Sequence, residues 1–232
     1  MTVTLWNLDT DDAINKCWVA ARTCYSKKTP QELYEEAPTV SKQKKIKLIE
    51  EILSKGHLSI IEQLQFTFLV SGVSRAFSHQ FMRHRHHSPA QQSQRYCKVE
   101  TDFDYLIPNS IKCRKDLKEG YELLMKSIAD CYRVFIAAGI PAEDARYILP
   151  NAAATNFTVS MNARELIHIA HERTCVQAQE EARAVVAQMI TSVCAKLPFM
   201  KKYLVAKCEW LGYCPEGSRS CGRFKTKDKV IK

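Results

Sequence analysis

The stretch FMRHRHHSPAQQSQRY, residues 81–96, concentrates side chains that bind anions, metals or bases. Five of its first seven residues are Arg or His, and amides and hydroxyls follow Pro89. Three kinds of partner suit this composition: a metal ion, a nucleic acid, or one compact anion such as a phosphate group.

A metal site is disfavoured by the spacing of the histidines. The chain has seven histidines but contains no H-x-x-x-H pair and no HExxH. On a helix, His84, His86 and His87 would point in different directions, and the neighbouring arginines would repel a cation. Cys208, Cys214 and Cys221 also lack the paired spacing of a zinc knuckle, so we expect no metal and free thiols.

A nucleic-acid interface is the second interpretation. Phe81 and Tyr96 could stack on bases, and the basic side chains could contact phosphates. However, no second basic run lies nearby to extend the contact along a backbone.

A compact anion pocket is the third interpretation. A guanidinium offers a rigid fork of donors that matches a phosphate. If the helix continues through this stretch, Arg83 and Arg85 diverge by roughly 160° and can serve two ligands. The alternation of Gln91, Ser93 and Arg95 suits one face of an extended segment. A solvated, charged helix end would have the same composition.

The elements around this stretch follow from apolar spacing. Helical periodicity predicts helices over 12–25, 41–57 and 117–140, with Gly56 and Gly139 ending the last two. LQFTFLV and residues 151–162 read as strands. We expect a helix over 71–87 ended by Pro89, and one long helix over 163–197 begun by Asn162 and Glu165.

Composition bounds the class of protein. The chain has 232 residues, 46% hydrophobic and 25% charged, with a net charge of +9 that favours anionic partners. Ten scattered cysteines without CxxC, an acidic start and no long apolar run indicate a cytoplasmic protein with free thiols and no membrane span. The sparse strands and the absence of a Gly-rich phosphate loop argue for an α/β fold without a Rossmann motif.

Four separated motifs carry a resemblance to a known family. RHRHHSPAQQS fits R-H-R, seven residues and Ser, from Arg83 to Ser93, and resembles the signature of the flavin-dependent thymidylate synthases, the thymidylate synthase-complementing protein family. GHLSIIEQLQFTF, EDARYILP and MNARELIHIAHER resemble three further segments of that family, in the expected order.

The resemblance implies an enzyme that methylates dUMP to dTMP without a cysteine nucleophile. The carbon comes from 5,10-methylenetetrahydrofolate, and FAD reduced by NADPH supplies the hydride. It implies an α/β (α+β) fold with a central, mostly antiparallel sheet flanked by long helices. It also implies a homotetramer with active sites shared between subunits. We expect one domain over residues 1–200 and a basic, Cys-containing extension over 201–232.

The resemblance also assigns residues. Those expected to bind dUMP are Gln80, Arg83, Gln91, Gln92, Ser93, Gln94, Arg95, Arg146 and Arg173. Those expected to bind FAD are Ser59, Arg83, His84, Arg85, Gln91, Asn162, Arg164 and His168.

Arg173 is the expected catalytic residue, because a guanidinium can stabilise negative charge that develops on the uracil ring. Ser93 lacks an evident base and is therefore assigned to binding. His57 either borders the flavin and folate or is a helix-end residue without chemistry. Departures from the family occur at Ala90, Gln91 and His168, and Cys24 takes no role.

Two other functions remain open at this point. One is a basic nucleic-acid-binding module, which would bind oligonucleotides in a salt-dependent way. The other is a family member that binds flavin and nucleotide but has lost synthase activity.

Overall fold

The computed structural model describes residues 1–6, 8–97 and 102–230. Four strands are present in this part: β1 (Thr2–Trp6), β2 (Gln65–Ser74), β3 (His87–Gln91) and β4 (Ala154–Asn162). They form one sheet in the order β1-β2-β4-β3, which places β3 at an edge. β2 and β4 are antiparallel: the N–H of Ala163 donates to the carbonyl of Leu64 at one end, and that of Arg75 to Ala153 at the other.

Helices make up most of the remaining structure. Their bounds are α1 (Thr10–Thr23), α2 (Pro30–Glu36), α3 (Lys42–Ser54), α4 (Arg75–Phe81), α5 (Asn109–Lys112), α6 (Lys115–Ala137), α7 (Ala142–Ala145), α8 (Ala163–Arg173), α9 (Glu180–Lys196), α10 (Lys207–Leu211) and α11 (Lys227–Val230). The expected fold class is confirmed: an antiparallel sheet with long helices. Throughout the described ranges, no helix is both long and apolar enough to cross a membrane.

The chain divides into two compact units. Unit 1 comprises Met1–Thr2, Val70–Arg83 and Pro89–Thr158, and unit 2 comprises Val3–Leu69, His84–Ser88 and Val159–Lys232. Residues 231 and 232 of the expected C-terminal extension lie outside the described residues. The expected domain boundary at residue 200 stays a prediction.

Unit 1 has an aromatic core. The Phe81 ring lies 5.5 Å, centroid to centroid, from both Phe77 and Phe157. α6 buries Met125 and Tyr132, two turns apart on one face. These contacts hold α4 and β4 in place, and both elements carry residues of the candidate site.

Unit 2 has a core of buried helix faces. Leu166, Ile169 and Ala170 are fully buried and recur at helical spacing along α8. The same spacing leaves Arg164 and His168 exposed. One face of α8 therefore anchors the helix while another presents polar side chains.

The predicted helix over 71–87 is wrong at both ends. β2 continues to Ser74, whose hydroxyl caps α4 by accepting from the N–H of Phe77 over 3.0 Å. α4 ends at Phe81, before the basic residues, and Pro89 lies within β3 instead of ending a helix. An edge strand tolerates proline, because an N–H on its outer side has no ladder partner to lose.

The predicted single helix over 163–197 is also wrong. α8 ends at Arg173 and α9 begins at Glu180. Arg183 donates to the carbonyl oxygens of Val176 and Ala178, which holds the intervening turn. A side chain from the next helix thus stabilises a break that local apolar spacing does not reveal.

Candidate active site

Three residues of unit 2 form a polar chain at α8. Arg173 donates from Nε to Nε2 of His84 over 3.0 Å. On the other side of the ring, Nδ1 of His84 lies 3.9 Å from Oε1 of Glu165. His84 and Glu165 are buried, with exposed fractions of 9% and 4%. One imidazole therefore faces two side chains of the same helix.

Electrostatics keep this imidazole neutral. Burial lowers the pKa of His84 to about 4, the charges of Arg173, His168 and His87 act in the same direction, and Glu172 opposes them. Burial also lowers the pKa of Arg173, but a guanidinium remains charged at neutral pH. A cation is thus hydrogen-bonded to an uncharged acceptor.

The outer end of Arg173 is available for a ligand. Across the described part of the chain, no hydrogen bond or ion pair engages Nη1 or Nη2 of this residue. The side chain is half-buried, so its charge is only partly screened by water. Two parallel N–H groups of this kind match a planar pair of acceptors such as a carbonyl and a ring nitrogen.

The other expected flavin residues of unit 2 lie on α8 and near the start of β2. Asn162 caps α8 by accepting from the N–H of Glu165 over 2.9 Å, which confirms the predicted helix start. Arg164 is exposed and pairs with Glu62. The exposed His168 packs edge-on against His84, with ring centroids 5.6 Å apart. Ser59 is exposed, on the 3-10 helix Leu58–Gln63.

His57 immediately precedes that 3-10 helix and is exposed. The structure shows no hydrogen bond from its side chain to another described residue. It is therefore free to contact a ligand, but nothing in its surroundings distinguishes it from a helix-end histidine.

Arg83 and Arg85 are exposed and follow α4 instead of lying on it. The predicted divergence of Arg83 and Arg85 by a fixed helical angle is therefore wrong. His84 between them is buried. The described residues provide neither arginine with an ion-pair partner.

Two of the amides of unit 1 that were expected to bind nucleotide, Gln91 and Gln92, are held by internal hydrogen bonds. Gln91 donates from Nε2 to the hydroxyls of Ser78 and Thr155, over 2.8 and 3.2 Å. Gln92 accepts at Oε1 from Asn156, over 3.0 Å, and its main-chain N–H donates to the carbonyl of the same residue. These contacts fix the end of β3, and no other described residue forms a hydrogen bond with Oε1 of Gln91.

Residues 93–97 form a turn, so the expected extended alternation fails beyond Gln91. The Ser93 hydroxyl accepts from the N–H of Arg95 over 3.2 Å. Arg95 pairs with Glu143 through Nε and Nη2, over 3.0 and 2.7 Å, in a half-exposed ion pair. An exposed pair of this kind contributes little stability and can be exchanged for a ligand.

A cavity of about 720 Å³ opens within unit 1 beside this turn. Gln92, Ser93 and Gln94 line it together with Asn156. Its volume is in the range of small-molecule sites. Three of the expected nucleotide residues therefore face one space.

Arg146 has a cationic neighbour that the sequence did not single out. Burial lowers the pKa of Arg75, and the charge of Arg146 lowers it further. Two nearby guanidiniums without a carboxylate partner among the described residues create a positive field that suits an anion. Gln80, also of unit 1, has a buried Oε1 that finds no hydrogen-bond partner among the described residues.

The C-terminal segment lies beside Arg173, which the sequence did not indicate. A second cavity, of about 170 Å³ and within unit 2, is lined by Arg173 and by residues of this segment. Its four cysteines are Cys175, Cys208, Cys214 and Cys221. Among the described residues, no group of three or more potential ligands is arranged to hold a metal ion.

The chain is similar to known proteins over most of its length. The family model described as "Thymidylate synthase complementing protein" matches residues 8–199. A flavin-dependent thymidylate synthase of Geobacter sulfurreducens is 41% identical over 206 residues, covering 88% of this chain and 87% of the relative. One from Nitratidesulfovibrio vulgaris is 39% identical over 233 residues, covering 95% and 94%.

A solved structure shares the fold. The crystal structure of a UMP/dUMP methylase from Streptomyces cacaoi, bound with 5-Br dUMP, superposes with a TM-score of 0.70. It is 23% identical, and the match covers 87% of this chain and 93% of that one. The family match over residues 8–199 includes the polar chain at α8 and the turn after β3.

Proposed function

The chain belongs to the family of flavin-dependent thymidylate synthases, and from this premise we propose that it methylates dUMP to dTMP. In this proposal 5,10-methylenetetrahydrofolate is the carbon donor. FAD, reduced by NADPH, supplies the hydride when it is bound. The C5 proton of the uracil is released to solvent as the new carbon–carbon bond forms.

The observation that carries the proposal is the state of Arg173. Its guanidinium is half-buried, held at Nε by His84, and has its two outer amino groups available. In the proposal these groups contact N3 and a carbonyl oxygen of the uracil, where they stabilise negative charge. The ring then becomes richer in electrons at C5 without a covalent bond to the enzyme.

The phosphate of dUMP is assigned to the arginines of unit 1. Arg146 and its neighbour Arg75 lack carboxylate partners among the described residues, and Arg95 can release the exposed Glu143. Guanidinium forks match a phosphate bidentately. We assign Arg83, Gln80, Gln91, Gln92, Ser93 and Gln94 to the same nucleotide.

The donors of unit 2 fit the chemical requirements of FAD. Its pyrophosphate needs cationic donors, and both Arg85 and Arg164 are exposed. Arg85 has no ion-pair partner among the described residues, and the surface pair of Arg164 with Glu62 is easily exchanged. We assign Ser59, His84, Asn162 and His168 to the flavin as well, together with Arg83 and Gln91, and place His57 near the flavin and folate.

Three of the ten cysteines have surroundings that disfavour a thiolate nucleophile. Burial raises the pKa of Cys17 to about 12. It also raises the pKa of Cys194 and of Cys208. A thiol with a raised pKa is a poor nucleophile at neutral pH.

Assembly and location belong to the same proposal. We propose a cytoplasmic homotetramer in which each active site takes residues from more than one subunit. Ten free cysteines fit a reducing compartment.

The first test of the proposal is a flavin spectrum. The purified protein should be yellow, or should become so when FAD is added and the excess is removed. A protein that stays colourless and fails to bind added FAD would contradict the proposal.

A further inference from the structure

Among the described residues, the guanidinium of Arg173 makes one hydrogen bond, which its Nε donates to Nε2 of His84 over 3.0 Å. A carboxylate is the usual partner of a buried arginine, and it would cancel much of the positive charge. An imidazole nitrogen fixes the direction of the side chain but adds no negative charge. The positive potential at Nη1 and Nη2 is therefore kept for the ligand.

The direction of this hydrogen bond determines the tautomer of His84. Nε of Arg173 is always a donor, so Nε2 of His84 must be the unprotonated nitrogen. In a neutral imidazole the proton then lies on Nδ1. This is the nitrogen that faces Glu165, at 3.9 Å from Oε1.

Glu165 is placed to maintain that tautomer. Its side chain is 4% exposed, and Oε1 is a buried oxygen without a hydrogen-bond partner in the described residues. An acceptor oxygen on this side of the ring favours a proton on Nδ1, because a lone pair on that nitrogen would face the lone pairs of the oxygen. Asn162 holds the main chain of Glu165 by capping α8, which fixes where the side chain begins.

We propose that His84 and Glu165 form a positioning pair for Arg173, in which Glu165 selects the Nδ1–H tautomer and His84 aims the guanidinium at the substrate. The proposal rests on the proposed function and deepens it: it gives His84 a second task beside flavin contact. Arg173 and Glu165 both lie on α8. The helix therefore fixes the distance between the two side chains that the imidazole of His84 faces.

The surroundings of His84 favour the neutral form that the pair requires. Among the described residues, the charged or titratable groups near the ring include Glu165, His168, Glu172 and Arg173 of α8, together with His87 of β3. Burial and the charge of Arg173 lower the pKa of His84 to about 4 against the opposing charge of Glu172, so the ring is neutral at neutral pH. Protonation would place a donor against the N–H of Arg173 and break the contact.

The direct test is nitrogen NMR of the full-length protein labelled with ¹⁵N-histidine, at neutral pH. The His84 resonances are assigned by their loss in His84→Gln. The expected result is a neutral ring with its proton on Nδ1, and a shift of the tautomer population in Glu165→Gln. A proton on Nε2, or an imidazolium at neutral pH, would overturn the proposal.

The second test measures the turnover of dUMP by variants of His84. The rate is expressed per bound flavin, so that a loss of flavin is not mistaken for a loss of Arg173 positioning. His84→Leu removes the acceptor and should lower kcat by about 10- to 100-fold, the loss expected for one hydrogen bond to a charged group. His84→Gln restores an amide oxygen near the place of Nε2 and should recover most of the rate. The exposed His86 gives the matched control, and His86→Gln should behave as wild type.

The outcomes separate this proposal from the proposed function. Wild-type turnover in His84→Leu, or equal losses in the Leu and Gln variants with both folded, would overturn the pair alone. Absence of turnover in the wild-type protein would overturn the proposed function, whereas the tautomer measured by NMR would still decide the positioning pair. The same NMR result decides it if His84→Leu does not fold.

Discussion

The guanidinium of Arg173 has no ion-pair partner among the described residues, and a hydrogen bond to His84 fixes its direction. Its Nε is bound to His84, and its outer amino groups have no partner in the described part of the chain. Charge stabilisation in a partly dry site is often the largest contribution to catalysis. Residue-scale predictions therefore begin here.

Arg173→Ala should abolish most turnover while flavin stays bound. The loss of one preorganised donor group of this kind costs about 100- to 1,000-fold in kcat. The measurement is dTMP formation together with the flavin absorbance of the same sample. Arg22→Ala, on α1 and outside the assigned residues, is the control and should retain turnover; survival of turnover in Arg173→Ala contradicts the catalytic assignment.

His84 should make the folded state sensitive to acid. Its pKa is about 4 in the folded protein and 6.5 when unperturbed, so the unfolded chain binds more protons between these values. The free energy of unfolding should therefore fall as the pH is lowered from 6.5 towards about 4. Above 6.5 this contribution is complete.

The measurement is urea unfolding at several pH values, with His84→Gln as the comparison. The variant lacks the titrating group, so its unfolding free energy should decline less steeply over the same interval. Parallel curves for the two proteins would contradict the lowered pKa.

At the residue scale, the sequence predicted which residues belong to the site better than it predicted which of them contact each other. The motifs indicated Arg173, His84 and Glu165, but the hydrogen bond between the first two joins residues 89 positions apart. Such a contact depends on the packing of α8 and has no local signature. Glu165 was expected only as part of a helix start, and its side chain faces His84 instead.

Helix α8 links local structure to the site. Asn162 begins it, Arg164 and His168 are exposed on it, and Arg173 ends it. Asn162 has two assigned roles, as a helix cap and as a flavin ligand, and these can be separated.

Asn162→Ser should keep the cap, because serine is as good a cap as asparagine, but should weaken flavin binding. Asn162→Ala should weaken flavin binding and also lower the unfolding free energy by about 1 kcal/mol. Chemical unfolding and flavin titration of both variants make the measurement. Equal stability of the two variants would show that the cap at 2.9 Å contributes nothing.

Replacement by alanine should change the free energy of unfolding in opposite directions at two glycines, Gly72 and Gly120. Gly72, in β2, has φ +67°, and an added Cβ would lie 3.2 Å from the main-chain nitrogen of Met1. Gly72→Ala should therefore lower the unfolding free energy by about 1–3 kcal/mol. Gly120 is exposed within α6, with open space around its Cβ, so Gly120→Ala should raise it by about 0.5–1 kcal/mol.

Thermal or urea unfolding of the two glycine variants is the measurement. A destabilised Gly120→Ala, or a Gly72→Ala as stable as wild type, would contradict the backbone argument.

At the element scale, apolar periodicity predicted α1, α3, α6 and the strands β2 and β4. Periodicity failed where contacts with residues distant in sequence determine where a helix or strand ends. Arg183 holds the break between α8 and α9, and β3 accommodates Pro89 because it lies at an edge. Neither fact is visible in a window of neighbouring residues.

At the scale of the whole chain, the net charge is +9, but no second basic run lies near the one at residues 83–95. Arg95 and Arg164 are paired with Glu143 and Glu62. Extended backbone contact needs several unpaired cations in a row.

We therefore expect weak binding to single-stranded oligonucleotides at physiological salt. Fluorescence anisotropy over a range of salt concentrations measures it, with dUMP binding to the same protein as the positive control. Tight binding that falls steeply with salt would favour the nucleic-acid-binding alternative.

The family and the fold class were predictable from four motifs and from composition, whereas the C-terminal segment was not. Residues after 199 lie outside the family match, yet Cys208, Cys214 and Cys221 line a cavity beside Arg173. Long-range packing of a segment without a motif has no signal in a single sequence.

The most direct test of the central claim is turnover of 5-tritiated dUMP by the intact, flavin-loaded protein. Release of tritium to water should require both 5,10-methylenetetrahydrofolate and NADPH, should be accompanied by dTMP, and should be lost in Arg173→Ala. A protein that binds flavin and dUMP but releases no tritium under these conditions would contradict the account and would be a family member without synthase activity.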